Sequence, residues 1–466
     1  MGVAGLTLLS LLPVRPWADS SDEGTAGTGE WMMRVRLPRS CMKKPIMVEV
    51  GYYQTRGGLV PFEIDASLPT WLLGKTRTGK STGMLSGIVG TIHQGHGCLV
   101  ADPHGPLADA VLHHIPTWRL KDVVIIDPTK HRVPGVGFFN MSKPTLSVEW
   151  FLNIIELQSG NFWGPQTAEI LLAITLAVLE RYKKPTILHI YKALARPDFC
   201  KTLLSKSKNP IVVDFHDKWF GKDMKAKDRL QAFTHPLNKI IVFLRDGIKE
   251  VVCQPDALDF AELMDQNKII IVRLPKGEIG ETATRIIGSL VIFNILLSAS
   301  QRKGTNHFPL FIDEIHNFLD GIPFELMLAE LAKWNITPFF ATQTMQQMRD
   351  ETRRIFNDKI ALGNVATLAA FRISGDDADA VAKFAGYEDQ ASALVKLSNY
   401  TFACSTVKNT TVDWNFPIST YAKLKTKAPV PYEKVLAWAI ENNGTEKETI
   451  QKYVRQELKR EIAIAN

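Results

Sequence analysis

The strongest constraint on the fold is the segment Gly74–Thr82, which reads GKTRTGKST. It carries the spacing GxxxxGK followed by Ser, directly after the apolar run Trp71–Leu73 and before Gly83–Ile92, which can continue as a helix. A strand, a glycine-rich turn and a helix N-terminus in this order direct backbone N–H groups and the helix dipole at a bound phosphate. The segment therefore predicts a nucleotide-binding loop.

Two side chains of the loop have specific expected roles. Lys80 is expected to neutralise the β- and γ-phosphates, and the hydroxyl of Ser81 is expected to bind Mg²⁺. ATP and Mg²⁺ are therefore the predicted cofactors. The other residues predicted to bind the nucleotide are Gly74, Thr76, Thr78, Gly79 and Thr82.

A pair of carboxylates, Asp313 and Glu314, follows the strand-like run Pro309–Ile312. A buried parallel strand delivers such side chains to a site at its carboxyl end. Asp313 is expected to hold Mg²⁺ through water, and Glu314 to orient and deprotonate the water that attacks the γ-phosphate. The alternative is a strand that ends in a solvated acidic turn. The phosphate loop in the same chain favours nucleotide hydrolysis.

A further strand is predicted over Thr337–Gln343, and it ends in an amide. Gln343 is expected to hydrogen-bond the attacking water or the γ-phosphate, which makes it a candidate catalytic residue. The alternative is that it caps a helix predicted over Met345–Arg353.

Short apolar strands alternate with helical segments through much of the chain. Strands are predicted within Gly97–Gly105, Asp122–Pro128 and Lys268–Leu274, and Asp102 and His104 form a turn expected near the phosphates. Apolar strands that close on polar residues are typical of a parallel sheet with ligands at its carboxyl edge. The predicted fold class is α/β, a P-loop NTPase with a central, mostly parallel sheet.

Between residues 146 and 261 the pattern changes to helical spacing with almost no strand signals. We therefore expect an inserted all-α domain. Its lysines either line a nucleic-acid channel or form a solvated helical face. These lysines include Lys222, Lys225, Lys227, Lys239 and Lys249.

The predicted organisation has five parts. The leader carries an apolar stretch, Val3–Leu12, which is interpreted as a weak anchor or, preferably, as part of a disordered leader. The parts are a flexible leader (1–30), a small strand-rich lead-in (31–66), the ATPase motor domain (67–145 and 262–430), the helical insertion (146–261) and C-terminal helices (431–466).

The composition sets mild limits on the partners and the compartment. A formal charge of +7 and a pI near 9.0 favour polyanionic partners slightly, although a lysine-rich solvated surface explains them equally well. The five cysteines include no CxxC pair, which argues against a disulfide framework or a zinc site and for a reducing compartment.

Several motifs together resemble the HerA/FtsK superfamily, and within it the type IV secretion coupling proteins, the TraD-like conjugative DNA-transfer ATPases. The likeness runs from about Pro45 to about Glu457. The matching segments are Leu73–Thr82, Val100–Ala108, Phe162–Pro165, Pro236–Lys239, Phe311–Glu314, Ala341–Gln343, Asn364–Thr367 and Phe371–Ser374.

The resemblance implies a RecA-like motor that assembles as a homo-hexameric ring, binds ATP between subunits and threads DNA, double- or single-stranded, through its centre. It also implies a cation supplied by the neighbouring subunit. Relatives often carry Arg-Lys after the acidic strand's helix, whereas this chain has Ala332-Lys333. The candidates for the cation are therefore Lys333, Arg353, Arg354 and Arg372, with Arg372 favoured.

Three readings of the function remain open at this point. The first is an ATP-driven DNA translocase of conjugation, with a relaxase, nuclease or secretion-channel component as a further partner. The second is a DNA end-processing or genome-packaging motor, and the third is a slow ATPase that docks cargo. The transmembrane pair usual in coupling proteins is missing, so we expect a cytoplasmic protein, at most peripheral at the inner face of the membrane, without direct transmembrane anchoring.

Overall fold

One eleven-stranded sheet carries the predicted phosphate loop, the turn that contains Asp102 and the Asp313–Glu314 pair. The fold is taken from a computed structural model that describes residues 45–159, 163–319, 324–348, 362–408, 411–421, 424 and 429–460. The strands are β1 (Met47–Thr55), β2 (Gly58–Asp65), β3 (Thr70–Leu73), β4 (Cys98–Asp102), β5 (Val123–Ile126), β6 (Arg132–Val133), β7 (Ile269–Arg273), β8 (Phe308–Ile312), β9 (Ile336–Thr342), β10 (Thr367–Ala370), β11 (Thr401–Lys408), β12 (Thr411–Ser419) and β13 (Thr445–Glu446).

The order of the strands in the sheet is β2-β1-β12-β11-β10-β3-β9-β8-β4-β7-β5. All neighbours from β10 to β5 run parallel, and the neighbours from β2 to β10 run antiparallel. The parallel strands are Val-, Ile- and Leu-rich and buried, as expected for strands covered on both faces. The predicted α/β class with a mostly parallel central sheet is confirmed.

Helices cover both faces of the sheet. The helices are α1 (Lys80–His93), α2 (Pro106–Leu112), α3 (Pro144–Ser159), α4 (Pro165–Arg181), α5 (Ile187–Ala195), α6 (Pro197–Leu204), α7 (Pro210–Phe220), α8 (Ala226–Ile240), α9 (Lys249–Val252), α10 (Phe260–Asp265), α11 (Lys276–Ile279), α12 (Glu281–Ala299), α13 (Phe324–Glu330), α14 (Gly375–Ala385), α15 (Ala391–Val395), α16 (Tyr432–Asn443) and α17 (Lys447–Lys459).

Side chains alternate between two hydrophobic cores along the central strands. Trp71 and Phe340 pack into one core, with α12 and the helical region, whereas Leu72 and Phe339 pack into the other, with α1, α2 and α16. The sheet is therefore the middle layer of three, and the carboxyl ends of its parallel strands meet at one edge.

Helix α12 is the one helix among the described residues that has the length and apolarity to cross a bilayer. Most of its apolar window is buried inside the fold. It packs with α10 and with the sheet in the first core, as the core helix of a globular fold does.

All elements described between β6 and β7 are helical, from α3 to α10. Their core includes Phe215, Trp219 and Phe233, whose rings contact one another. The predicted boundaries of the insertion, 146–261, fall within this run. The division of the chain into domains stays a prediction.

Two features of the sheet differ from the strand pattern expected from sequence. The strands β11 and β12 were not predicted. They form an antiparallel hairpin with each other, and β11 also pairs with β10. The lead-in strands β1 and β2 join the same sheet.

The helix predicted over Met345–Arg353 is described only to Met348, and its residues Gln346–Met348 form a 3₁₀ turn. The predicted leader lies outside the described residues.

Candidate nucleotide site

The loop between β3 and α1 has the backbone conformation of a phosphate cradle. Gly79 has φ of 110°, in the left-handed region that favours glycine. A Cβ on Gly74 would lie 2.6 Å from the Cβ of Phe371, so this position also requires glycine. Helix α1 begins at Lys80, so the loop ends at a helix N-terminus with free N–H groups.

Lys80 is buried and bridges two backbone positions of the loop. Its Nζ donates to the carbonyl oxygens of Gly74 and Lys75, the latter at 3.1 Å. Burial lowers the pKa of Lys80, and the nearby carboxylates Glu314 and Asp313 partly offset this. The ammonium therefore faces both the loop and the two acids, the position from which it can contact a phosphate.

The strand order explains why Gln343 lies between the loop and the acids. Strand β9 pairs with β3 on one side and β8 on the other, so the residue after β9 stands between the ends of both. Thr76 Oγ1 donates to Gln343 Oε1 at 3.2 Å, and Gln343 Nε2 donates to Glu314 Oε1 at 3.1 Å. The amide side chain thus links loop to carboxylate, whereas its backbone N–H donates to Gln347 Oε1.

Asp313 and Glu314 are both buried at the end of β8. Asp313 Oδ1 accepts the Glu314 N–H at 3.1 Å, and Oδ2 has no donor among the described residues. Burial, followed by the charges of Asp102 and Glu314, raises the pKa of Asp313 to about 7. The Oδ2 atom of this buried carboxylate, together with the hydroxyl of the exposed Ser81 at the start of α1, fits the oxygen ligands that Mg²⁺ prefers.

Glu314 is held by its backbone as well as by Gln343. It has φ of 46°, and its carbonyl oxygen accepts from Asn317 Nδ2 at 2.8 Å. His316 Nδ1 lies 3.6 Å from Glu314 Oε2. The Glu314 carboxylate is therefore oriented by the hydrogen bond from Gln343 and lies near His316.

The predicted turn after β4 has a structural explanation. Asp102 accepts the N–H groups of His104 at 2.8 Å and of Ala108 at 2.9 Å, so it caps α2. The side chain of His104 is exposed. Asp102 acts on the site through its charge, which contributes to the raised pKa of Asp313.

Arg372 lies beside the phosphate loop of its own chain. It follows β10, the neighbour of β3, and its carbonyl oxygen accepts the N–H of Lys75 at 2.9 Å. Lys333 is exposed and pairs with Glu330 at 2.6 Å. The other two candidate cations, Arg353 and Arg354, lie outside the described residues.

Sequence reasoning missed two aromatic residues that pack on the loop, Phe371 and Tyr400. Phe371 contacts Gly74 and Gly79, and Tyr400 donates its N–H to the Thr78 carbonyl at 2.7 Å. Neither contact follows from the loop motif, because both residues are distant from the loop in sequence and reach it through the pairing of β10 with β3 and of β11 with β10.

Solved structures with a similar fold include the bacterial conjugative coupling protein TrwB, unbound, at a TM-score of 0.57 and 15% identity over 84% of this chain and 92% of TrwB. The structure of TrwB in complex with ADP and Mg²⁺ has a TM-score of 0.57 and 15% identity over 84% of this chain and 93% of TrwB. The structure of VirB4 of Thermoanaerobacter pseudethanolicus has a TM-score of 0.56 and 14% identity over 83% of this chain and 98% of VirB4. No protein-family model matches the sequence, and no curated protein matches it.

These likenesses cover most of both chains and concern the fold. They confirm the RecA-like α/β fold and the resemblance to coupling proteins expected from the sequence motifs. The identities of 14 to 15% are low, so the likeness extends to the fold alone.

Proposed function

We propose that this protein is an ATP-hydrolysing motor that pumps DNA through a hexameric ring in conjugative, type IV secretion DNA transfer. The observation that carries the ATPase proposal is the chain of hydrogen bonds from Thr76 through Gln343 to Glu314. It ties a phosphate-binding loop to a buried carboxylate, which is what coupling of nucleotide occupancy to hydrolysis requires.

The residues of the site divide the reaction between them. The backbone N–H groups from Gly74 to Thr82, with Lys80, bind the β- and γ-phosphates. Ser81 and Asp313 would hold Mg²⁺, which when bound neutralises charge on the phosphate oxygens. Glu314 accepts the proton of the attacking water as that water adds to the γ-phosphorus and the bond to ADP breaks.

Gln343 has two partners and therefore a positioning role. While its Nε2 donates to Glu314, the carboxylate is oriented. Gln343 Oε1 accepts from Thr76 of the loop, so Gln343 connects the loop to Glu314. Arg372 is the favoured candidate for the cation that a neighbouring subunit supplies to the transition state, and this role stays a proposal. Its carbonyl oxygen accepts the N–H of Lys75 in the loop of its own chain, so Lys333, Arg353 and Arg354 are kept as alternative candidates for that role.

The proposed cargo and setting draw support from the fold and the charge. The solved neighbour TrwB is a conjugative coupling protein, and its structure has been determined with ADP and Mg²⁺. The formal charge of +7 suits sequence-independent contacts to DNA phosphates. A relaxase, a nuclease or a secretion-channel component is the proposed further partner, at a cytoplasmic location peripheral to the membrane.

The test of this function is steady-state ATP hydrolysis with and without long double- and single-stranded DNA. A translocase should turn over several-fold faster with DNA, and the more effective strand form identifies its track. Turnover that is indifferent to both forms would contradict the translocase and favour a docking ATPase.

The ring is tested separately by mass measurement in solution with Mg²⁺ and a non-hydrolysable ATP analogue. A hexamer is expected at micromolar protein, with or without DNA. A monomer under every condition would contradict the ring.

A further inference from the structure

We propose that Tyr400 is the aromatic platform on which the base of the bound nucleotide stacks. This inference rests on the proposed function, because it assigns the nucleoside end of the same site. The loop motif provides for the phosphates only, so the residues that bind the base have to come from elsewhere in the fold.

Tyr400 is anchored directly to the phosphate loop. Its N–H donates to the carbonyl oxygen of Thr78 at 2.7 Å, and its own carbonyl accepts the N–H of Thr420 at 2.8 Å. The residue therefore joins the start of β11, the end of β12 and the loop. Any nucleotide held by the loop has a fixed relation to this backbone.

The ring of Tyr400 stands against the first turn of α1. A Cβ built on Gly79 would lie 2.9 Å from Tyr400 Cα and 3.1 Å from its ring atom Cδ1. Despite this contact the residue is 52% exposed. Much of an aromatic residue is thus open to solvent next to a phosphate cradle, where a ligand can cover it.

The backbone of Tyr400 is strained. Its φ of 65° is uncommon for a residue other than glycine, and it is strained for a bulky side chain. Such strain persists where surrounding contacts impose it, and here the two backbone hydrogen bonds do so. The strained conformation holds the ring at the loop.

The strand order places Tyr400 at the correct end of the nucleotide. Gln343 and Glu314 lie on the β9 and β8 side of β3, and the proposed function assigns the γ-phosphate to that side. The nucleoside then extends toward β10 and β11. Strand β11 is two strand intervals from β3, roughly 10 Å, and Tyr400 directly precedes it.

In this proposal the Tyr400 ring stacks on the face of the base and forms no hydrogen bonds with the edge of the base. The Tyr400 hydroxyl has no hydrogen-bond partner within the described part of the chain, so the ring face is the feature available to a ligand. Stacking on an aromatic ring tolerates any base and is stronger for the larger rings of purines. ATP and GTP are therefore expected to bind similarly and more tightly than CTP and UTP.

The test compares two ligands that differ in the base: a non-hydrolysable ATP analogue and inorganic tripolyphosphate, each titrated calorimetrically with Mg²⁺. Tyr400→Ala should weaken binding of the ATP analogue about tenfold and leave tripolyphosphate unchanged, whereas Tyr400→Phe should restore the affinity. The matched control is Tyr421→Ala, which truncates a neighbouring tyrosine that packs on Tyr52, with ring centroids 5.3 Å apart.

The outcomes separate this inference from the function beneath it. Equal losses for both ligands in Tyr400→Ala would show that Tyr400 only braces the loop, and no loss would show that the base binds elsewhere; either result overturns the platform. If the unaltered protein bound neither ligand, the proposed nucleotide site itself would fail.

Discussion

Two buried charged clusters in this protein contain the same kinds of side chain and differ in how far their hydrogen bonds are completed. The first, which we call the latch, consists of His189 and Lys192 on α5 with Glu457 on α17. Lys192 Nζ donates to the carbonyl oxygens of Glu457 and Arg460, both at 2.8 Å, and to Glu457 Oε1 at 3.2 Å. All three of its N–H groups are used.

His189 completes the latch. Its Nδ1 accepts the N–H of Thr186 at 3.0 Å, so its proton is on Nε2, which lies 3.3 Å from Glu457 Oε1. Burial alone would raise the pKa of Glu457, but His189 and Lys192 outweigh it and lower the pKa to about 2. The latch is a finished polar network that fixes α17 to the helical region.

The second cluster, the candidate nucleotide site, has incomplete hydrogen bonding among the described residues. Within the described part of the chain, Lys80 donates only to backbone carbonyl groups of the loop, and Asp313 Oδ2 has no donor. The pKa of Asp313 is raised, in the opposite direction to that of Glu457. Burial of incompletely paired charges costs free energy, and such charges are typical of sites where a bound ligand supplies the missing partners. The comparison therefore favours a structural role for the latch and supports the proposed functional role of the second cluster.

The largest expected effect is the loss of the latch lysine. Lys192→Met leaves Glu457 and two carbonyl groups buried without their cation, so we expect a loss of about 3–5 kcal/mol in the free energy of unfolding, measured with urea. ATP turnover per folded molecule should be unchanged. Lys218→Met, which removes an exposed pair with Glu169, is the control and should cost below about 1 kcal/mol. A small cost at Lys192, or lost turnover, would contradict a purely structural latch.

The pH dependence of stability should have opposite signs in the two clusters. The pKa of Asp313 is about 7 in the folded protein against an ordinary 3.8, so between these values the folded state binds more protons than the unfolded state. Its contribution therefore weakens as pH rises from about 4 to 7 in the nucleotide-free protein. Asp313→Asn should remove this decline in urea unfolding. An unchanged pH profile in this variant would show that Asp313 does not cause the decline in stability.

Glu457 should act in the other direction. Its pKa of about 2 lies below the ordinary 4.5, so its contribution is full above pH 4.5 and is lost as pH falls toward 2. Glu457→Gln should flatten the fall in unfolding free energy between pH 4.5 and 3. The variant curve would parallel the original one if the latch did not titrate there.

The affinity for nucleotide should depend on pH, because the pKa of Asp313 is raised. Mg²⁺ needs the ionised carboxylate, so affinity for a Mg²⁺–ATP analogue should be about tenfold lower at pH 6 than at pH 8, measured by calorimetry. The same series with Asp313→Asn corrects for titration of the phosphate itself. Parallel profiles in both proteins would show that Asp313 does not bind the ion.

The smallest expected effect concerns the link between loop and carboxylate. Gln343→Ala frees Glu314 from its side-chain donor, so turnover should fall about three- to tenfold while nucleotide affinity stays the same. Thr76→Val, which removes the donor to Gln343, should give part of this loss. A drop in affinity with unchanged turnover would contradict the positioning role.

Local sequence pattern predicted the parts of the site that depend on neighbours in the chain. The loop from Gly74 to Ser81 and the strand ending at Asp313 have their own signals, and parallel strands place such ends together. The contact of Tyr400 with the loop had no signal, because it depends on the pairing of β11 with β10 and of β10 with β3, segments that are far apart in the sequence. The latch likewise joins α5 to α17 across most of the chain.

The most direct test of the account is the behaviour of Glu314→Gln beside Lys80→Ala, assayed for binding of ATP and for its hydrolysis. We expect Glu314→Gln to bind ATP with Mg²⁺ as the unaltered protein does and to hydrolyse it at least about a hundredfold more slowly. Lys80→Ala should lose binding. Retained hydrolysis in Glu314→Gln would contradict the assignment of this cluster as the catalytic site.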